Sequence, residues 1–117
     1  MKKRKKFLVT GGTGFIGSNI CRLLIKKGHK VLVFDNNQRG TFEKVKDLKN
    51  RIRFINADIR NRDKVFNAIK KSDAVIHLAY VNGTKFFYTK PDLVLDIAVK
   101  GLTNIIDGCI KFKVKEK

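Results

Sequence analysis

The stretch Thr10-Gly11-Gly12-Thr13-Gly14-Phe15-Ile16-Gly17 decides the fold. It follows the apolar run at 7–9 and leads into a segment whose apolar residues recur with helical spacing. Gly11 permits a tight turn from strand to helix, Gly14 lets the backbone approach a pyrophosphate closely, and Gly17 allows close packing of helix on sheet. Free N–H groups at the start of the helix add partial positive charge. The stretch therefore predicts a dinucleotide-binding turn.

Three further apolar runs, at 31–34, 52–55 and 74–78, follow the first at nearly even spacing. Most of them lack polar–apolar alternation and are rich in β-branched or aromatic residues, which is typical of parallel strands buried on both faces. Arg53 inside the third run indicates an edge strand. These runs predict four strands of one parallel sheet.

Helical patterns lie between the predicted strands. The first helix is expected over about 14–27, and Asn61 is a suitable N-cap for a short second helix. Pro91 opens a longer helix, whose apolar positions are Leu95, Ala98, Leu102, Ile105, Ile106 and Cys109. Alternating strands and helices require right-handed crossovers. The predicted fold class is α/β, a Rossmann-type doubly wound parallel sheet truncated after about four strands, with a loop over 80–90 beside its carboxyl edge.

An acidic residue, Asp35, ends the second predicted strand. A carboxylate there can accept hydrogen bonds from the adenosine ribose hydroxyls and would repel a 2′-phosphate, which favours NAD over NADP. Two observations leave alternatives open. Asp35 could instead cap the turn that follows it through Asn36 and Asn37, and Arg39 could serve a 2′-phosphate, although its setting is typical of a surface turn.

Five motifs together resemble the extended short-chain dehydrogenase/reductases, specifically the NAD-dependent nucleotide-sugar epimerases and dehydratases. They are the glycine-rich stretch, Asp35-Asn36, Ala57-Asp58-Ile59-Arg60, His77-Leu78-Ala79 and Val99-Lys100-Gly101, in the family's order over residues 7–110. The resemblance implies that the pyrophosphate is wrapped by Gly11, Gly14, Phe15, Ile16 and Gly17. It implies that the adenosine ribose is held by Asp35 and Asn36.

The same resemblance implies roles further along the chain. Asp58 and Ile59 would flank the adenine, with the carboxylate accepting from its exocyclic amine, and the cofactor would be lined beyond the fourth strand by Leu78, Ala79 and Tyr80. Thr84 would border the substrate. Plainer interpretations remain open: a turn carboxylate at Asp58, strand-end packing at Leu78 and Ala79, a loop hydroxyl at Thr84 and a structural role for His77.

The catalytic Tyr-x-x-x-Lys pair of the family is missing from all 117 positions, because Thr84 follows Tyr80 by four residues and Asp92 follows Tyr88. No catalytic residue is therefore assigned. The chain also reads Ala98-Val99-Lys100-Gly101-Leu102 where the family often has Asn-Val-x-Gly-Thr. The chain looks like the front half of such an enzyme, with a basic extension at 1–6 and an incomplete NAD-binding domain at 7–117, and we expect it to be inactive alone.

Net charge and composition bound the remaining possibilities. The formal charge is +17, but most of the excess is diffuse, so no specific nucleic-acid partner is predicted. The sequence contains no run of about 18 apolar residues, so no membrane span is predicted. Cys21 and Cys109 suggest neither a disulfide nor a metal site. We expect a cytoplasmic protein, with self-association possible at an uncovered sheet edge. A stand-alone NAD-binding module and a basic nucleic-acid-associated protein are the alternatives; a nucleotide sugar is expected only for a full-length parent.

Overall fold

The computed structural model describes residues 4–36, 48, 50–79 and 88–114. Its elements, in chain order, are β1 (Lys6–Thr10), α1 (Phe15–Lys26), β2 (Lys30–Asp35), β3 (Ile52–Asn56), α2 (Arg62–Lys70), β4 (Ala74–His77) and α3 (Pro91–Lys111). The predicted strands and helices are confirmed to within about two residues at their ends. The predicted loop over 80–90 lies mainly outside the described residues.

The four strands form one parallel sheet in the order β3-β2-β1-β4. In its register Leu8 of β1 lies opposite Leu32 of β2 on one side and Val75 of β4 on the other. The order places β3 at one edge of the sheet, where it pairs with β2, and the Arg53 side chain is exposed, in agreement with the predicted edge position.

Both faces of the sheet are covered. Because successive side chains of a strand point to opposite faces, Val9 and Val33 pack with the buried side of α1, while Leu8 and Phe34 pack with α2 and α3. This two-sided covering confirms the predicted α/β, doubly wound architecture. Because all the pairings are parallel, the carboxyl ends of the four strands lie at one end of the sheet.

The inward face of α3 differs from the apolar pattern of the sequence. Its buried residues are Ile97, Gly101, Asn104, Ile105, Gly108 and Cys109. Its exposed apolar residues are Leu95, Val99, Leu102, Ile106 and Ile110. The reason is close packing: a Cβ at Gly108 would lie 2.6 Å from Ile69 Cδ1 of α2. Gly108 lets α3 approach α2 closely, and Leu102, Ile106 and Ile110 lie on the outer face while Ile97 and Ile105 stay buried.

The described ranges contain neither a membrane span nor a metal-binding cluster. No helix within them is long and apolar enough to cross a membrane. Within the same ranges no group of three His, Cys, Asp or Glu side chains could hold a metal ion. Cys21 and Cys109 are both buried and form no disulfide within the described ranges.

Candidate functional site

The glycine-rich turn joins β1 to α1 at the carboxyl edge of the sheet. The Gly11 N–H donates to the Phe34 carbonyl of β2 at 2.9 Å, and the Gly11 carbonyl accepts from the Gly14 N–H at 3.1 Å. Gly11 has a φ of +75°, and a Cβ there would lie 3.0 Å from the backbone nitrogen of Ala79. The turn is therefore wedged between the ends of β2 and β4.

The other glycines of the turn differ in what surrounds them. A Cβ at Gly17 would lie 2.1 Å from the Gly11 carbonyl oxygen, a distance that no packed structure tolerates, so this position requires glycine. A Cβ at Gly14 would meet only that same oxygen, at 3.4 Å, which is ordinary contact. Gly17 therefore closes the turn, whereas Gly14 leaves open space beside the backbone.

The start of α1 is suited to an anion. Gly14 is its N-cap, so no side chain caps the helix, and its first turn contains no acidic residue. The first N–H groups of a helix have no partner within it and carry partial positive charge. Phe15 and Ile16, predicted to contact the pyrophosphate, are exposed here. The helix start is thus a site where phosphate oxygens could bind.

Asp35 braces the glycine-rich turn from the end of β2. Its carboxylate is buried, and one oxygen, Oδ2, accepts both the Thr13 N–H at 3.0 Å and the Thr13 hydroxyl. The alternative that Asp35 caps the turn after it involves Asn37, which lies outside the described residues, as does Arg39. The structure thus gives Asp35 a bracing role that sequence analysis did not foresee.

A threonine hydroxyl joins the ends of β1 and β4. Thr10 Oγ1, fully buried, accepts the N–H groups of Leu78 and Ala79 at 2.9 and 3.1 Å. With both lone pairs used, its proton donates to Nδ1 of His77 at 2.7 Å. Burial lowers the pKa of His77, in keeping with a neutral ring. The expected structural role for His77 fits this contact.

The segment after β3 carries an ion-pair network. Arg60 donates to both carboxylate oxygens of Asp58, from Nε at 3.1 Å and from a terminal nitrogen at 2.7 Å. The other terminal nitrogen donates to Asp96 of α3 at 2.7 Å. The hydrogen bond from the Arg60 side chain holds the pKa of Asp58 below its usual range. Asp58 is therefore an acceptor-only carboxylate.

Ile59, between the two charged residues, is anchored to α3. A Cβ at Gly101 would lie 2.6 Å from Ile59 Cγ2, so glycine is what lets the buried isoleucine pack there. The Asn104 side chain donates from Nδ2 to the Ile59 carbonyl at 3.1 Å. Sequence analysis quoted Gly101 only as part of a motif, and the structure supplies its reason.

The structure places the described candidate residues along one edge. They stand after β1 (Gly11, Gly14, Phe15, Ile16, Gly17), at or after β2 (Asp35, Asn36), after β3 (Asp58, Ile59) and after β4 (Leu78, Ala79). The Ala57 N–H donates to the Asp35 carbonyl at 3.2 Å, which joins the second and third groups. Tyr80 and Thr84 lie outside the described residues.

Sequence analysis missed four residues that shape this edge: Thr10, Thr13, Arg60 and Asp96. Thr10, Thr13 and Arg60 belong to motifs that were quoted, so attention to the polar side chains within them could have found all three. Asp96 is 36 positions from Arg60, and no local pattern joins the two. Only the packing of α3 on the loop after β3 brings them together.

A cavity of about 800 Å³ lies at the opposite edge, where the strands begin. Its lining includes seven basic residues: Arg4, Lys6, Lys30, Arg51, Arg53, Lys64 and Lys71. None of the candidate cofactor residues that the structure describes lines it. The glycine-rich turn and this basic cavity are therefore separate features of the molecule.

Known proteins are similar to this chain over most of its length. A model of the NAD dependent epimerase/dehydratase family matches residues 7–117. UDP-N-acetyl-alpha-D-glucosaminuronate decarboxylase of Bacillus cytotoxicus is 32% identical over 112 residues, which are 96% of this chain and 35% of that protein. UDP-glucose 4-epimerase of Neisseria meningitidis serogroup B is 38% identical over 104 residues, 83% of this chain and 30% of that protein.

A solved structure gives the same result. The crystal structure of Thermus thermophilus UDP-glucose 4-epimerase in complex with NAD matches 93% of this chain and 35% of its own, with a TM-score of 0.84 and 32% identity. The chain thus spans about a third of the length of the relatives it matches. Because the family model covers nearly the whole chain, the resemblance seen in the sequence is confirmed. The chain belongs to the NAD-dependent epimerase/dehydratase family.

Proposed function

We propose that this chain forms the NAD-binding part of a nucleotide-sugar epimerase or dehydratase. The domain extends over residues 7–117 and is preceded by a basic extension at 1–6. The observation that carries the proposal is the uncapped start of α1 beside Gly14, with buried Asp35 bracing the same turn. A pyrophosphate at the helix start and a ribose near Asp35 suit this arrangement.

The described residues fit a dinucleotide in three respects. The open side of Gly14 leaves room for a phosphate to reach the backbone, and no acidic side chain in the first turn of α1 would repel it. The Asp35 carboxylate disfavours a 2′-phosphate. Asp58, kept ionised by Arg60, can accept from the adenine amine. We assign the ribose to Asp35 and Asn36 and the adenine to Asp58 and Ile59.

The remaining assignments concern the other half of the dinucleotide. Leu78 and Ala79 are held next to Gly11 by the Thr10 hydroxyl, and we propose that they line the cofactor with Tyr80 beyond them. Thr84 is assigned to the substrate border. In a full-length parent NAD would accept hydride from C4 of the sugar, and the nucleotide sugar would be that parent's substrate.

Binding and chemistry are separate in this proposal. The chain's residues bind and orient the cofactor, whereas the sequence offers no Tyr-x-x-x-Lys pair to move a proton at the sugar hydroxyl. We therefore expect no turnover by the isolated chain. Cys21 and Cys109, which are buried and form no disulfide among the described residues, suit a reducing compartment, and we propose the cytoplasm. The exposed apolar residues of α3 favour self-association of the isolated chain.

Calorimetric titration of the purified chain with NAD and with NADP tests the function. We expect one NAD site per chain and binding of NADP weaker by about ten- to a hundredfold. A parallel assay with UDP-glucose should show no epimerase or dehydratase product. Absence of NAD binding at millimolar concentration, or tighter binding of NADP, would contradict the proposal. Salt-dependent DNA binding without NAD binding would favour the nucleic-acid alternative.

A further inference from the structure

The hydrogen bonds of Asp58 leave a defined acceptor position. A carboxylate has about four lone-pair sites. Oδ1 accepts the Arg60 N–H at 2.8 Å and the Arg60 Nε–H at 3.1 Å, which uses both of its sites. Oδ2 accepts one terminal Arg60 nitrogen at 2.7 Å. Among the described residues no other donor reaches Oδ2, so one directed acceptor site is left.

Arg60 fixes the orientation of that site. It grips Asp58 with its backbone N–H and two side-chain nitrogens, so the carboxylate cannot rotate without breaking several bonds. Its third nitrogen binds Asp96 of α3, which is itself held by Lys100 at 2.8 Å. Arg60 therefore links the carboxylate to the long helix, and the planar guanidinium fork suits this arrangement.

We propose that Arg60 is a positioning residue that aims the remaining lone pair of Asp58 at a single N–H donor, the exocyclic amine of adenine. This inference rests on the proposed NAD site. Its consequence is specificity: an acceptor-only carboxylate attracts an amine and repels a carbonyl oxygen at the same position. The chain should therefore discriminate adenine from hypoxanthine, which carries oxygen in place of that amine.

The test compares NAD with nicotinamide hypoxanthine dinucleotide by calorimetry. We expect the unmutated chain to bind NAD about tenfold more tightly than the hypoxanthine analogue, because the analogue lacks one charge-assisted hydrogen bond to Asp58. In Arg60→Gln the Asp58 carboxylate loses the two hydrogen bonds from the guanidinium, and the ratio of the two affinities should fall to about threefold or less. Arg60→Lys, which can make a single directed bond, should give an intermediate ratio.

Arg62→Gln is the matched control. Arg62 is also an arginine paired with an aspartate of α3, Asp107 at 3.0 Å, and its contacts among the described residues do not include Asp58. We expect this variant to keep the tenfold ratio. Asp96→Asn is a second probe that weakens the link to α3 while leaving the Arg60–Asp58 pair, and its ratio should lie between those of the unmutated chain and Arg60→Gln. Asp96→Asn replaces Arg60→Gln as the test of positioning if Arg60→Gln fails to fold.

The outcomes separate the two proposals. If the unmutated chain binds neither dinucleotide, the proposed function fails. If it binds both equally, or if Arg60→Gln weakens both equally and leaves the ratio unchanged, the NAD site stands and the positioning role of Arg60 is overturned. If Arg60→Gln is unfolded, an unaltered ratio in Asp96→Asn overturns it in the same way.

Discussion

The glycine-rich turn and the Asp58–Arg60 loop lie at the same edge of the sheet but are built differently. The turn is fixed by backbone contacts, among them the site at Gly17 where a Cβ would lie 2.1 Å from a carbonyl oxygen. The loop is fixed by charged side chains that are about one-third exposed. Steric contacts determine the conformation of the turn, whereas ion pairs that are partly screened by solvent determine the conformation of the loop.

This difference has a consequence for how each region responds to change. A steric fit tolerates no additional atom, so substitution in the turn should affect folding itself. An ion-pair network near the surface contributes little to stability but can still orient a ligand group. We therefore expect mutations in the turn to alter the free energy of unfolding and mutations in the loop to alter ligand selectivity.

The largest expected effect is that of Gly17→Ala. The added methyl group would overlap the Gly11 carbonyl, and the turn has to open to accommodate it. We expect a loss of about 3 kcal/mol or more in the free energy of unfolding, measured by urea denaturation.

Gly14→Ala is the companion variant, because its methyl group meets only ordinary contact at 3.4 Å. We expect its free energy of unfolding to change by less than about 1 kcal/mol while NAD affinity falls at least tenfold. Equal destabilisation by the two variants would show that the turn does not distinguish a structural glycine from a ligand-facing one.

Thr10→Val should have the next largest effect. It leaves the Ala79 N–H and the His77 ring nitrogen without the hydroxyl that they share in a fully buried site. We expect a loss of about 2–4 kcal/mol in urea denaturation. Thr103→Val is the control, since its hydroxyl donates to the Val99 carbonyl on the exposed side of α3. A loss below about 0.5 kcal/mol for Thr10→Val would remove this hydroxyl as the link between β1 and β4.

Much of the turn could be read from the sequence, because glycine spacing reports steric requirements directly. Equally local signals predicted the four strands, the edge position of β3 from Arg53, and the N-cap at Asn61. The bracing of Thr13 by Asp35 and the Arg60–Asp96 bond join residues 22 and 36 positions apart, and these depend on how the elements pack. The inward face of α3 was predicted only in part: Ile105 and Cys109 are buried, as the apolar pattern indicated, but glycine and asparagine occupy other buried positions.

Asp35→Asn is expected to have a moderate effect, on selectivity. Its amide oxygen can still accept both Thr13 bonds, so the turn should keep its stability while the charge that disfavours a 2′-phosphate is lost. We expect the NAD-to-NADP affinity ratio to fall about tenfold in calorimetry. Thr13→Val should do the reverse, lowering stability and preserving the ratio. An unchanged ratio in Asp35→Asn would exclude Asp35 from cofactor selection.

The smallest expected effect is a pH dependence from His77. Its pKa is lowered in the folded chain from the ordinary 6.5, so the unfolded chain takes up the proton first as the pH falls. The free energy of unfolding should be constant well above pH 6.5 and decrease below it. Urea denaturation from pH 8 to 5.5 measures this, and His77→Gln should flatten the slope. An identical slope in both proteins would contradict the neutral, hydrogen-bonded ring.

Amide chemical-shift mapping on the ¹⁵N-labelled chain tests the central claim most directly, that one dinucleotide spans both regions. We expect NAD to shift Gly11, Gly14 and Gly17 together with Asp58 and Ile59, with a single dissociation constant for all of them. AMP should shift mainly the second group. Shifts confined to the basic cavity at the opposite edge, or no shift in either group at millimolar NAD, would contradict the account.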